Sequence, residues 1–163
     1  YKQIKAKYAQ VISSAGKYYD MVIVDLDKNI GNQETVDILN TSDIIIALTS
    51  QRAKQIEKIQ EMIKEGKILN EQKTIMTIGK YMENTKYNAK NITRNLLKQK
   101  DMINTIPYNN LFFEATQEGT VIDLFLNLMR VKEKDSNYNF VQEINNLNEI
   151  VKGKYELLQM IKQ

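Results

Sequence analysis

Short apolar, β-branched runs alternate with longer amphipathic segments along this chain, and this alternation limits the fold more than any other feature. Four runs have the length and composition of strands, and the first two are apolar almost throughout, as in a parallel sheet covered on both faces. The predicted strands are residues 19–25, 43–49, 74–78 and 103–106. Because helices are predicted between them, we expect an α/β fold with a mostly parallel sheet.

Amphipathic segments with apolar residues at three- and four-residue spacing predict the helices. Gly16 is placed as a stop at the end of the first helix, Gly66 follows the third, and Gly119 separates the fifth and sixth. Pro107, the only proline, ends the fourth strand. We predict one α/β domain over residues 1–163, in which 132–163 form a charged linker and a C-terminal helix. The predicted helices are 2–17, 33–40, 53–65, 89–100, 112–118, 120–130 and 140–161.

The chain contains neither cysteine nor histidine, and this excludes several kinds of site. Disulfides, Cys/His zinc sites, cysteine nucleophiles and Ser–His catalysis all require one of these residues. A metal would need oxygen ligands, which suit magnesium. A general acid or base would have to be a carboxylate, a lysine or a tyrosine.

Charge and hydropathy argue against nucleic acid and membrane as main partners. The net charge is only +3, with three arginines for base reading, and no apolar run approaches the length of a bilayer span. No signal peptide is visible. Non-specific DNA contact and peripheral membrane contact remain as alternatives that we do not favour. The basic residues concerned are Lys90, Arg94, Lys98 and Lys100 for DNA, and Lys152, Lys154 and Lys162 for a membrane.

Asp25 ends the first predicted strand, and Asp27 follows two residues later. In open α/β sheets ligands bind outside the carboxyl ends of the strands, where a carboxylate beside a phosphate site can hold magnesium. This makes Asp25 a candidate catalytic residue and Asp25 with Asp27 candidate metal ligands. The structural alternative is an aspartate that begins a loop or caps a helix.

The same strand also fits a receiver domain of the response-regulator type, with Asp25 as phospho-acceptor and Lys80 as the lysine of its site. Thr49 would then end the switch strand. A receiver also needs an acidic pair upstream, and residues 1–19 contain no Asp or Glu. It has no place for the strand and helices after residue 103 either.

The order of several segments resembles the second half of the ParA/MinD group of P-loop ATPases, over roughly residues 10–130. Residues 19–26 are similar to its Walker B strand, and 41–49 to the strand that follows. Residues 76–81 fall where the group has an apolar strand followed by Asn, Lys and an aromatic residue. The most specific match is Ile-Pro-Tyr-Asn at 106–109 with Glu-Ala at 114–115 and Glu-Gly at 118–119.

The resemblance implies a three-layer α/β sandwich of the P-loop NTPase (SIMIBI) type with its N-terminal half absent. It implies an ATPase that binds Mg-ATP, with Asp25 orienting magnesium-bound water and Gly79, Lys80, Pro107 and Tyr108 near the nucleotide. The partners implied are a second copy, in a homodimer, and proteins of a pilus or plasmid-partition system. Within the group the TadZ/CpaE-like pilus-localisation branch is the most similar. The location implied is the cytoplasm, with peripheral attachment at the cell pole or inner membrane surface.

Two departures from the group support an alternative function. No Gly-rich Lys-Thr/Ser loop occurs in the sequence, and Gly79 stands where the group often has a base-contacting Asn. ATP and Mg²⁺ are therefore expected only together with a P-loop half. Without the P-loop strand, which lies between the first two predicted strands in the group, we expect an unpaired sheet edge. The alternative is a non-catalytic scaffold or interaction module.

Overall fold

A computed structural model describes residues 10–26, 32–64, 73–96 and 103–161 of the chain. The chain divides into two compact units, Tyr1–Ser42 and Asp43–Gln163. The first unit contains helix α1, of which residues 10–15 are described, and helix α2 (Gln33–Thr41). Helix α1 ends before Gly16, as predicted, and α2 lies where a helix was expected.

The predicted strand at 19–25 is wrong. Residues 21–26 have no regular secondary structure, and the side chains of Met21 and Ile23 are largely exposed. An apolar run becomes a strand only where its backbone pairs with a neighbour and its side chains are covered. No strand pairs with this run among the residues that the structure describes.

The second unit is built on three parallel strands in the order β1-β2-β3. They are β1 (Ile45–Thr49), β2 (Thr74–Tyr81) and β3 (Ile103–Pro107). The mostly parallel α/β fold is therefore confirmed for this unit. Central β2 is buried from Thr74 to Ile78, whereas β1 alternates between covered and exposed residues. Within the described residues β1 lies at one edge of the sheet, so its outer backbone edge has no strand partner there.

The two faces of the sheet are covered to different extents. Met76 and Ile78 form a core with Ile56 of α3 (Ala53–Lys64) and Ile92 of α4 (Ala89–Leu96). On the opposite face Ile75 and Thr77 of β2 are buried. Their register partners on β1 are Ile46 and Leu48, and both are exposed. This face therefore continues as an uncovered apolar strip along β1.

Three helices follow the sheet: α5 (Asn110–Glu118), α6 (Val121–Leu128) and α7 (Tyr138–Ile161). Phe112, Phe125 and Phe140 form an aromatic cluster, one from each helix, with ring centroids 5.6–6.3 Å apart. Helix α7 also contacts β3. Gly119, in the left-handed conformation with φ 73°, ends α5, as the sequence predicted. Packed aromatic rings thus hold α5, α6 and α7 together.

Candidate functional site

The carboxyl ends of the three parallel strands lie at one edge of the sheet, which is where α/β proteins place their ligands. We call this edge, with the residues that follow each strand, the carboxyl edge. It consists of residues 49–51 after β1, 79–82 at the end of β2 and 107–109 after β3. Four residues that the resemblance assigned to nucleotide lie here: Gly79, Lys80, Pro107 and Tyr108.

Strand β2 changes its geometry at Gly79 and Lys80. The sequence placed the end of this strand at Ile78, but it continues to Tyr81 through an irregularity in its pairing with β3. Lys80 has φ 53°, which costs a side-chain-bearing residue about 1–2 kcal/mol. Such strain is tolerated where the surrounding structure fixes it, often at binding sites. Here it leaves the Lys80 side chain exposed at the carboxyl edge.

Gly79 lies beside the Leu48 side chain of β1. A Cβ atom at this position would lie 3.3 Å from Leu48 Cδ1 and 3.8 Å from the Thr49 carbonyl oxygen. A larger side chain would therefore require the Leu48 side chain, which is 70% exposed, to move slightly. The ATPase group often has an asparagine at this position.

Tyr81, Pro107 and Tyr108 are held together by the backbone. Tyr81 and Pro107 are register partners, and the Tyr108 N–H donates to the Tyr81 carbonyl oxygen at 3.2 Å. Tyr108 is 47% exposed. The Tyr81 hydroxyl accepts a hydrogen bond from the Ala89 N–H at 3.0 Å, so this ring is fixed against the start of α4. The edge therefore presents an exposed lysine, Lys80, and a half-exposed tyrosine, Tyr108.

Gln51 fixes the loop that follows β2, at residues 82–88. Its Nε2 donates to the carbonyl oxygens of Met82 at 2.8 Å and Tyr87 at 3.0 Å, and to Thr85 Oγ1 at 3.4 Å. Its Oε1 accepts from the Met82 N–H at 2.7 Å. One side chain from the β1 end thus satisfies backbone groups at both ends of the next loop. The sequence analysis missed this role because an amide has no partner preference that spacing reveals.

The same loop borders an open groove of about 310 Å³ between α3 and α4. Lys86 Nζ lies 5.2 Å from the Tyr87 ring centroid, a cation–π distance, and the Lys86 carbonyl oxygen accepts from Asn91 Nδ2 at 2.8 Å. Asn88 Oδ1 accepts from the Asn91 N–H at 3.0 Å at the start of α4. The groove is lined by Ala53, Ile56, Glu57, Lys86, Tyr87, Asn91 and Ile92.

Asp25 is the only one of the two predicted magnesium ligands that the structure describes. Asp25 is exposed and belongs to the first unit, whereas the carboxyl edge belongs to the second. Asp27 lies outside the described residues. Within the part of the chain that the structure describes, no three carboxylates come together as a metal site. Among the described residues Asp25 is not part of a carboxylate cluster, so these residues do not by themselves complete the oxygen ligands that magnesium needs.

The residues considered for DNA and membrane contact lie on helices. Lys90 and Arg94 are exposed on α4, and Lys152 is exposed on α7, while Lys98, Lys100 and Lys162 fall outside the described residues. Among the helices described, none is both long enough and apolar enough to cross a membrane.

Comparisons of the chain with protein-family models, curated protein sequences and solved structures find no match. The chemistry of the carboxyl edge must therefore be judged from its own groups. These are a lysine ammonium, a proline, tyrosine rings, and the amide and hydroxyl groups around Gln51. Such groups can bind an aromatic ring or an anion.

Proposed function

We propose that this chain is a ParA/MinD-like nucleotide-binding module in which the carboxyl edge receives the base and ribose of ATP. In this proposal the module dimerises to position a cellular machine, such as a pilus assembly complex or a plasmid. One observation carries it: Lys80, Pro107 and Tyr108, singled out by resemblance alone, converge at the carboxyl ends of two neighbouring strands. Brought together there, they offer a ring for stacking and a cation.

The proposal assigns the described residues to the base end of the nucleotide. Any of the nucleotide bases can stack on an aromatic side chain. Removing that side chain costs about 1–3 kcal/mol of binding free energy per base. The exposed Tyr108 ring is the group that provides this contact, and Lys80 adds a cation beside it. Since the described residues around Asp25 do not make a magnesium site, no role in hydrolysis is assigned to this chain.

A titration with fluorescent AMP and ATP analogues tests the proposal. The resemblance assigns Mg-ATP binding to the chain together with a P-loop half, but the proposal expects the base end alone to bind. We therefore expect both nucleotides to bind this chain with affinities within about threefold of each other and without a requirement for Mg²⁺. Tyr108→Ala should weaken both by about 5- to 100-fold, which corresponds to the loss of one stacked base. Tyr155→Ala is the matched control, because this tyrosine is 39% exposed but lies on α7.

Two results would contradict the proposal. One is the absence of nucleotide binding to a correctly folded chain, and the other is binding that Tyr108→Ala and Tyr155→Ala change equally. A strong magnesium dependence that Asp25→Ala abolishes would instead show that the phosphate end, rather than the base end, dominates binding.

A non-catalytic interaction module is the second candidate, and the exposed apolar strip on β1 favours it. Leu48 is 70% exposed, and Ile46 beside it is also exposed, although both lie on a sheet face that is buried at β2. Exposed apolar patches of this kind mark interaction sites. If this candidate holds, nucleotide does not bind, and Leu48→Gln reduces self-association or aggregation while leaving the unfolding midpoint unchanged.

A further inference from the structure

Helix α6 is polar along one line, at Asp123 and Asn127, and apolar over the rest of its circumference, yet only part of that apolar surface is covered. Seven of the nine residues 121–129 are apolar. Phe125 packs in the aromatic cluster, 6.0 Å from Phe112 and 6.3 Å from Phe140, and Leu128 is buried. The apolar face of such an amphipathic helix is normally covered by the rest of the protein or by a partner. The covered side accounts for only part of its apolar residues.

The other side of α6 carries a continuous apolar stripe. Ile122 is 77% exposed, Leu126 59% and Met129 78%. Their spacing of four and three residues places them on one line along the helix. We call these three residues the outer stripe. Contiguous exposed apolar side chains on a helix mark a surface that another helix covers.

The charges beside the outer stripe are arranged in a self-complementary way. Asp123 lies in the first turn of α6, and Arg130 follows directly after the helix; both side chains are exposed. An acidic residue at one end and a basic residue at the other match the same pair on an identical helix running in the opposite direction. Antiparallel packing also opposes the two helix dipoles. An anionic membrane would be repelled by Asp123 at the start of the stripe.

We propose that the outer stripe is the contact surface for a second copy of this chain, in an antiparallel α6–α6 pair around a two-fold axis near Leu126. The two stripes interdigitate, and Asp123 of each copy lies against Arg130 of the other. Such an interface uses the same patch on both copies and therefore closes as a dimer. It does not depend on nucleotide binding at the carboxyl edge.

The size of the stripe sets the strength of the dimer. Three side chains of this size remove on the order of 300 Å² of apolar surface per copy from water. A stable interface buries about 800 Å² per partner. The dimer is therefore weak, with half-association at a concentration on the order of 100 μM.

Sedimentation equilibrium of the full chain, from about 10 to about 500 μM, tests this interface. Asp123→Arg and Arg130→Asp should each weaken the dimer by about tenfold, because each places two like-charge pairs in the interface. The double variant, which exchanges the two charges, should return to within about threefold of the original chain. Leu126→Gln should leave the chain monomeric, with an unchanged circular dichroism spectrum because the side chain is exposed. Glu149→Arg and Lys152→Asp on α7 are matched charge reversals and should change nothing.

Four results would overturn the proposal. The first is a chain that stays monomeric throughout the concentration range. The second is a dimer that none of the α6 variants alters. The third is a double charge exchange that stays as weak as the single variants. Leu126-dependent binding of a monomeric chain to anionic lipid vesicles would assign the stripe to a membrane surface and would also overturn it.

Discussion

Replacing Gln51 by alanine tests whether one side chain holds the loop at the carboxyl edge. Three of its hydrogen bonds are 3.0 Å or shorter: to the Met82 carbonyl oxygen, to the Tyr87 carbonyl oxygen and from the Met82 N–H. A hydrogen bond contributes about 0.5–1.5 kcal/mol net, and the low end applies here because water reaches these groups. We therefore expect Gln51→Ala to lower the free energy of unfolding by about 1–2 kcal/mol.

Two measurements separate this effect from a general loss of stability. Urea denaturation gives the free energy of unfolding. Hydrogen exchange reports on the backbone amide of Met82, which donates its hydrogen bond to Gln51 Oε1. Exchange at Met82 should accelerate more than exchange at Ile78 in the core of β2. Gln117→Ala, on the exposed side of α5, is the control and should change stability by less than about 0.5 kcal/mol. Unchanged protection of the Met82 amide in Gln51→Ala would refute the reasoning.

Three further predictions concern other parts of the second unit, including α7, and urea denaturation checks each of them. Phe140→Ala should lower the free energy of unfolding by about 3–5 kcal/mol, because the ring is buried in the aromatic cluster; half-exposed Phe113→Ala should cost far less. Gly119→Ala should destabilise by about 1 kcal/mol because of its positive φ, whereas Gly153→Ala inside α7 should stabilise by about 0.5–1 kcal/mol. The two glycine variants should change the free energy of unfolding in opposite directions. Changes in the same direction would contradict both explanations. Thr77→Val should be neutral or stabilising, because the buried Thr77 Oγ1 has no hydrogen-bond partner among the described residues.

The parts of the fold that depend on local pattern were predictable from the sequence. Helices α3 and α7 begin within two residues of their predicted starts, and β3 ends at Pro107, one residue beyond its predicted end. The covered side of α7 also follows the predicted apolar spacing, from buried Phe140 to half-buried Leu158. In both helices the apolar periodicity follows the covered face.

The parts that depend on neighbours were not predictable. The run at 19–25 has the composition of a buried strand, but composition does not provide the pairing that a strand requires. The Gln51 contacts join residues 31 and 36 positions apart, which spacing along the chain cannot reveal. Lys80 takes a conformation that favours glycine, although the glycine of that segment is the residue before it. The sequence located the residues of the carboxyl edge but not the contacts that organise it.

The account depends on the carboxyl edge as the place where a nucleotide base binds. The most direct measurement is an NMR titration of the isotope-labelled full chain with AMP, with ribose 5-phosphate as the ligand that lacks the base. We predict that AMP shifts the amide signals of Lys80, Tyr81, Tyr108 and Asn109 and that ribose 5-phosphate leaves them in place. Signals that respond to both ligands alike, or that move only in the first unit around Asp25, would contradict the account.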